Sequence, residues 1–201
     1  MATASSMSPE NRSLMMRANR LLGAGLVEHN LVKIEDLEKA NERLLEIIAS
    51  NQPKQATVLG VLCYELKVIR EEDVLQHLVE AEGLGLVDLR GYDPPDDAKK
   101  NIDLDACWAT WSVPFDQEED FTFVASAYYL SPAVRTYWEK RFEGPILWFG
   151  TTLDGISEQL EKMAPPVSAS KAPFPIAAQP AAPAAPATVG APVAVPVAKS
   201  A

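Results

Sequence analysis

The sequence predicts an α+β fold: a helical half of two repeated hairpins over residues 9–90, a small β-β-α-β-α half over 100–163, and a disordered tail over 165–201. Three observations predict it. Apolar residues recur at three- and four-residue spacings through the first half, and aromatic and β-branched runs replace that period in the second. Between them lies "RGYDPPDDAKK", whose paired Pro94 and Pro95 forbid a continuing helix.

Each element has its own signal. "PENRSLMMRANRLLGAGLVEHN" sets Leu14, Ala18, Leu21, Leu22, Gly25 and Leu26 in one apolar stripe, with Asn30 as a left-handed cap. "IEDLEKANERLLEIIAS" repeats the period through Ile34, Leu37, Leu44, Ile47 and Ile48, opens on Glu35 and Asp36, which favour the helix dipole, and is stopped by Pro53. "QATVLGVLCYEL" and "EEDVLQHLVEAEGLG" form a second pair of the same kind. "WSVPF" and "FTFVASAYY" read as strands flanking the polar turn "DQEED". "SPAVRTYWEKRF" is a helix with Ser131 as N-cap and Pro132 at its first position, closed by Gly144 and Pro145. "PILWFGT" is a further strand, and "TLDGISEQLEKM" a last helix with Leu153, Ile156 and Leu160 on one face.

Composition narrows the function. The 201-residue chain carries a net charge of -10, so its summed field disfavours nucleic acid and anionic lipid surfaces. It lacks an apolar run near the roughly 20 residues that span a bilayer, and "MATASSMSPENRS" lacks the basic flank and apolar segment of an export signal. A cytoplasmic protein without direct membrane insertion is expected. Cys63 and Cys107 lie far apart in apolar sequence and read as reduced core thiols. The tail holds nine prolines, thirteen alanines and no acid, a composition that builds no core and extends as polyproline II.

No catalytic constellation stands out, and no enzymatic activity, cofactor or metal is expected. A phosphate-binding Gly-x-x-x-x-Gly-Lys-Ser/Thr run is missing from the sequence. His29 and His77 read as separate surface or boundary residues, and Gly23 to Gly25 as a site of close helix packing. The clusters Glu71-Glu72-Asp73 and Glu118-Glu119-Asp120 read as a helix start and a solvated turn. The four tryptophans read mainly as core.

An internal repeat emerges when "LLGAGLVEHNLVKIEDL" is laid over "VLGVLCYELKVIREEDV". Gly23 then falls on Gly60, Leu26 on Cys63, Val32 on Ile69 and Leu37 on Val74. This repeat, followed by "EAEGLGLVDLRGYDP" and by strands at 112–115, 124–127 and 144–147, resembles the N-terminal domain of bacterial type II secretion and type IV pilus assembly ATPases. The resemblance covers about residues 13–163 and lacks the ATPase module. One branch of that family binds cyclic di-GMP through paired Arg-Leu-Gly…Gly…Gln half-sites, where Arg offers a planar donor fork and Gly admits close backbone approach. At the corresponding positions this chain has Leu21, Gly23, Asn30 and Leu44, then Val58, Gly60, Lys67 and Ala81. The hydrophobic skeleton is kept and the ligand chemistry is largely replaced, with Arg20 and Lys67 the cations nearby.

The resemblance implies a non-catalytic adaptor or regulatory module whose partner is a protein, such as the cytoplasmic part of an inner-membrane secretion or pilus component. Tyr128, Tyr129, Trp138 and Trp148 are the expected neighbourhood of the partner surface. The alternative is a sensor for cyclic di-GMP or another small ligand in the same groove.

Overall fold

The computed structural model describes residues 7–49, 57–94 and 102–164. The expected tail, Pro53 and most of the "PPDDAKK" cluster lie outside the described residues. Helix α1 spans Pro9–Glu28; Ser8 caps it by accepting from the Asn11 amide at 3.1 Å, with proline at the first position. Asn30 follows in left-handed backbone, φ 56°, and the Leu31 amide closes back on the Leu26 carbonyl at 2.9 Å. Helix α2, Ile34–Ala49, turns Ala40 and Leu44 inward.

The second hairpin repeats this plan with one irregularity. Thr57 caps α3, Val58–Gly60, which runs on as a π-helical turn over Val61–Glu65 before α4, Glu71–Glu80. Lys67 takes the left-handed position, φ 53°, matching Asn30. The closing bond, from the Val68 amide, reaches the Leu62 carbonyl at 3.0 Å. Leu62 therefore plays the part of Leu26, one residue short of the Cys63 that the aligned sequences pair with it. The wider π turn absorbs the extra residue. Upstream of it, Gly23 is matched by Leu59, and the apparent register of Gly23 over Gly60 is displaced by one.

The α/β half follows. Strand β1, Gly85–Leu86, takes residues that the sequence predicts as a helix end and its exit. Helix α5, Leu104–Thr110, has no counterpart among the elements the sequence predicts; Asp103 caps it by accepting from Ala106 at 3.1 Å, and Trp111 ends it in left-handed backbone. Strand β2, Ser112–Glu118, pairs antiparallel with β3, Phe121–Ser126. A bulge between Pro114 and Asp116 carries β2 through residues expected to be turn, so only Glu119 and Asp120 reverse the chain. Helix α6, Pro132–Arg141, then crosses to β4, Ile146–Gly150, which pairs parallel with both β3 and β1, and α7, Leu153–Met163, closes the fold. The sheet order is β1-β4-β3-β2. Architecture and composition are those of an α+β protein.

Helix α1 joins the two halves, packing on α5, α6 and α3. Gly25 is required at this crossing, because a Cβ there would stand 2.9 Å from the Leu130 carbonyl oxygen. Leu22, Leu26, Leu62, Trp111, Val113, Trp138 and Ile156 belong to one continuous buried cluster. Each such aliphatic side chain contributes roughly 1.5–3 kcal/mol when fully buried. Ser131 stands at the N-cap of α6, yet its hydroxyl donates across to the Ala18 carbonyl of α1 at 3.0 Å instead of capping its own helix.

A buried polar network reinforces the junction. Asn19 donates to the Met15 carbonyl at 3.0 Å and its Oδ1 accepts from the Val58 amide at 2.7 Å and from the Tyr128 hydroxyl at 2.8 Å. Tyr128 also bonds the Thr57 hydroxyl, which accepts from the Gly60 amide. Three distant parts of the sequence are thus tied through groups whose burial makes every bond matter.

Candidate functional site

The eight positions singled out by the repeat divide by depth. Gly23, Leu44, Val58 and Gly60 are buried, Leu21 is half-buried, and Asn30, Lys67 and Ala81 are exposed. At Gly23 the space that a side chain would take is filled from the opposite helix: a Cβ there would lie 2.5 Å from Leu37 Cδ1. Beside Leu44, an open groove of about 510 Å³ runs between α1 and α2, bordered by Met16, Arg17, Arg20, Asn41 and Leu45.

The four expected partner residues do not form one surface. Tyr128 and Trp138 are internal: Tyr128 belongs to the polar network, and the Trp138 indole N–H donates to Thr110 Oγ1 at 3.2 Å. Burial pushes the Tyr128 phenol up from its ordinary range. Tyr129 and Trp148 remain half-buried and meet edge to face at 5.8 Å, with the Arg135 guanidinium 4.9 Å from the Tyr129 ring centre.

Exposed apolar side chains occur in both halves, among them Ile34 and Leu45 on α2 and Val79 on α4, and the sheet adds an aromatic group of its own. Strand alternation puts Phe121, Phe123 and Ala125 of β3 on one face, and register carries Leu147 and Phe149 of β4 to the same face, opposite Phe123 and Ala125. Phe121 and Leu147 are each 41% exposed, while Phe123 and Phe149 are half-buried. Phe115 anchors the patch from β2, with ring centres 6.1 Å from Phe123 and 5.6 Å from Phe149. The exposed Glu118, Glu119 and Asp120 border its end. Sequence reasoning weighted tyrosine and tryptophan and missed these phenylalanines, although the alternation in "FTFVAS" and "ILWFG" carried the signal.

Burial also shifts one carboxyl and both thiols. Glu71, at the start of α4, accepts from the Tyr64 hydroxyl and from the Leu153 amide of α7 at 2.8 Å. Desolvation raises its carboxyl above the ordinary value, against those two bonds. The Cys63 thiol is pushed up to about 12 by burial and by the nearby Glu71, Glu72 and Asp73, and burial raises Cys107 as well. Neither thiol is set up as a nucleophile. His29 and His77, read as separate from the sequence, are brought together with ring centres 4.6 Å apart, and Glu82 joins them.

Among the described residues, no helix is long and apolar enough to cross a membrane. No protein-family model and no curated protein matches the chain. Solved structures do. The N-terminal domain of XpsE in two crystal forms is 19% and 20% identical, with TM-scores of 0.46 and 0.49; the matches cover 78% and 72% of this chain and 97% and 94% of those chains. The structure of MshE with cdg is 15% identical with a TM-score of 0.45, covering 71% of this chain and 98% of that one.

Proposed function

We propose that the protein is a non-catalytic interaction module, an adaptor or regulatory piece of a secretion or pilus machine, and that it docks through the sheet face of Phe121, Phe123, Leu147 and Phe149. The observation that carries this reading is the pairing of a half-exposed aromatic patch with an acidic border. Such a patch suits a protein partner that presents apolar side chains flanked by Lys or Arg, the apolar centre supplying affinity and the charges orientation. In the family that the sequence resembles, the fitting partner is the cytoplasmic part of an inner-membrane component.

The nucleotide reading is correspondingly weak for the repeat itself. Leu21 and Leu44 stand where Arg and Gln would be needed in the first half-site, and neither aliphatic side chain supplies that hydrogen bonding. A second reading, a sensor for cyclic di-GMP or another small anionic ligand, draws support from Arg17 and Arg20 beside the α1–α2 groove. Calorimetric titration of the chain with cyclic di-GMP separates the two. Absence of heat and of thermal stabilisation at near-millimolar ligand leaves the adaptor reading, and saturable one-to-one binding overturns it in favour of the sensor. For the adaptor itself, the test is quantitative recovery of envelope or motor components by the full chain and by its Phe121→Glu, Leu147→Glu variant. Equal recovery by both removes the assignment of the face.

A further inference from the structure

The geometry points to a transition-metal site formed by His29, His77 and Glu82, a clamp between the ends of the two helical hairpins. His29 is the C-cap of α1, His77 lies in the last turn of α4, and Glu82 follows just beyond the end of α4. One ligand atom from each lies within 4.8 Å of the others, and the two imidazole ring centres are 4.6 Å apart. Bonds of about 2.0–2.2 Å to a tetrahedral ion would draw these atoms in by roughly 1 Å, a movement that rotation of the exposed His29 and the half-buried Glu82 toward His77 supplies.

A second observation points the same way. His77 Nε2 is buried and has no hydrogen-bond partner among the described residues. A ring nitrogen shielded from water and unpaired is costly to leave so; as an N–H it needs an acceptor, and as a lone pair it is satisfied by a donor or a metal ion. The electrostatic setting favours the ion, since the C-terminal ends of both α1 and α4 carry the negative pole of the helix dipole and the chain as a whole is acidic. Two imidazoles with one carboxylate select Zn²⁺, Co²⁺, Ni²⁺ or Cu²⁺ over Mg²⁺ or Ca²⁺, which prefer all-oxygen shells. Three protein ligands leave the remaining position to water. Bound there, the ion fastens the first hairpin to the second.

The test is titration of the untagged, metal-free full chain with Zn²⁺ alone, followed by calorimetry and thermal unfolding, with Co²⁺ absorption as a report on the ligand set. One-to-one binding with a raised midpoint is expected, and its loss in His29→Gln and in His77→Gln. His29 is exposed, so its variant keeps the fold; an unchanged midpoint without metal verifies this. Mg²⁺ is expected to produce no such shift. Absence of Zn²⁺ binding by the parent chain, or binding that survives both histidine substitutions, overturns the site and assigns any bound metal to the acidic surface.

Discussion

Asn30 and Lys67 occupy the same place in successive hairpins, and both hold left-handed backbone, at φ 56° and 53°. Left-handed backbone ordinarily favours glycine, and both turns form here without one. Asn tolerates such backbone through its short polar side chain, whereas Lys bears the strain, about 1–2 kcal/mol for a residue with a Cβ. Lys67→Gly is therefore expected to stabilise the chain by up to about 1 kcal/mol after the added freedom of the unfolded glycine is deducted, and Asn30→Gly by less. Lys67→Val is expected to destabilise it. Urea unfolding midpoints decide all three.

Tyr128→Phe removes one hydroxyl from a sealed network and with it the bonds to the Thr57 hydroxyl and to Asn19 Oδ1. A loss of about 1–3 kcal/mol is expected, with little change in shape, because the ring stays where it packs. Denaturant unfolding with an unchanged slope would fit this; a variant as stable as the parent would mean that the network is not closed as described.

Glu71 sets a pH dependence of definite sign. Its folded-state carboxyl lies above the ordinary 4.5, so the folded chain holds that proton more tightly than the unfolded one. The protonated form contributes its full stabilisation below about pH 4.5, and this contribution falls as pH rises from there through the folded value. Thermal midpoints of the parent, measured against those of Glu71→Gln, should decline across that window and run parallel above it. A parent that gains on the variant as pH rises would reverse the assignment.

The two thiols should be silent in the native protein. Cys63 is half-buried and raised to about 12, and Cys107 is wholly buried and raised further in the same direction. An aromatic disulfide reagent at pH 8 is expected to react only as the chain unfolds, at a rate that follows denaturant. Fast labelling of either cysteine in buffer would contradict this.

Much of the fold was legible because local and global signals agree. The stripes of α1 and α2, the Asn30 cap, the Pro132 start of α6 and the alternating strands all follow from residue type and spacing. Helix α5 escaped because its seven residues, "LDACWAT", are too short to display a period and their aromatic and small residues resemble a strand or loop. Strand β1 escaped because two residues have no pattern; it exists through pairing with β4. The π turn at Val61–Glu65 was invisible for a different reason, since an extra residue in a helix leaves each neighbour's propensity unchanged and only its hydrogen bond altered. The surface was harder still. Tyr128 and Trp138 are buried by contacts from distant segments, which residue type cannot reveal, and the proximity of His29 to His77 depends on how two helix ends meet.

A photo-crosslinking residue placed at Leu147 in the full chain, in native cells, reads out the proposed docking of a protein on the face of Phe121, Phe123, Leu147 and Phe149. A discrete adduct with one envelope-machine component is expected, absent when the same residue replaces the exposed Arg12 on α1 and lost when Phe121 is changed to Glu. No adduct from position 147, or equal adducts from positions 147 and 12, would contradict it.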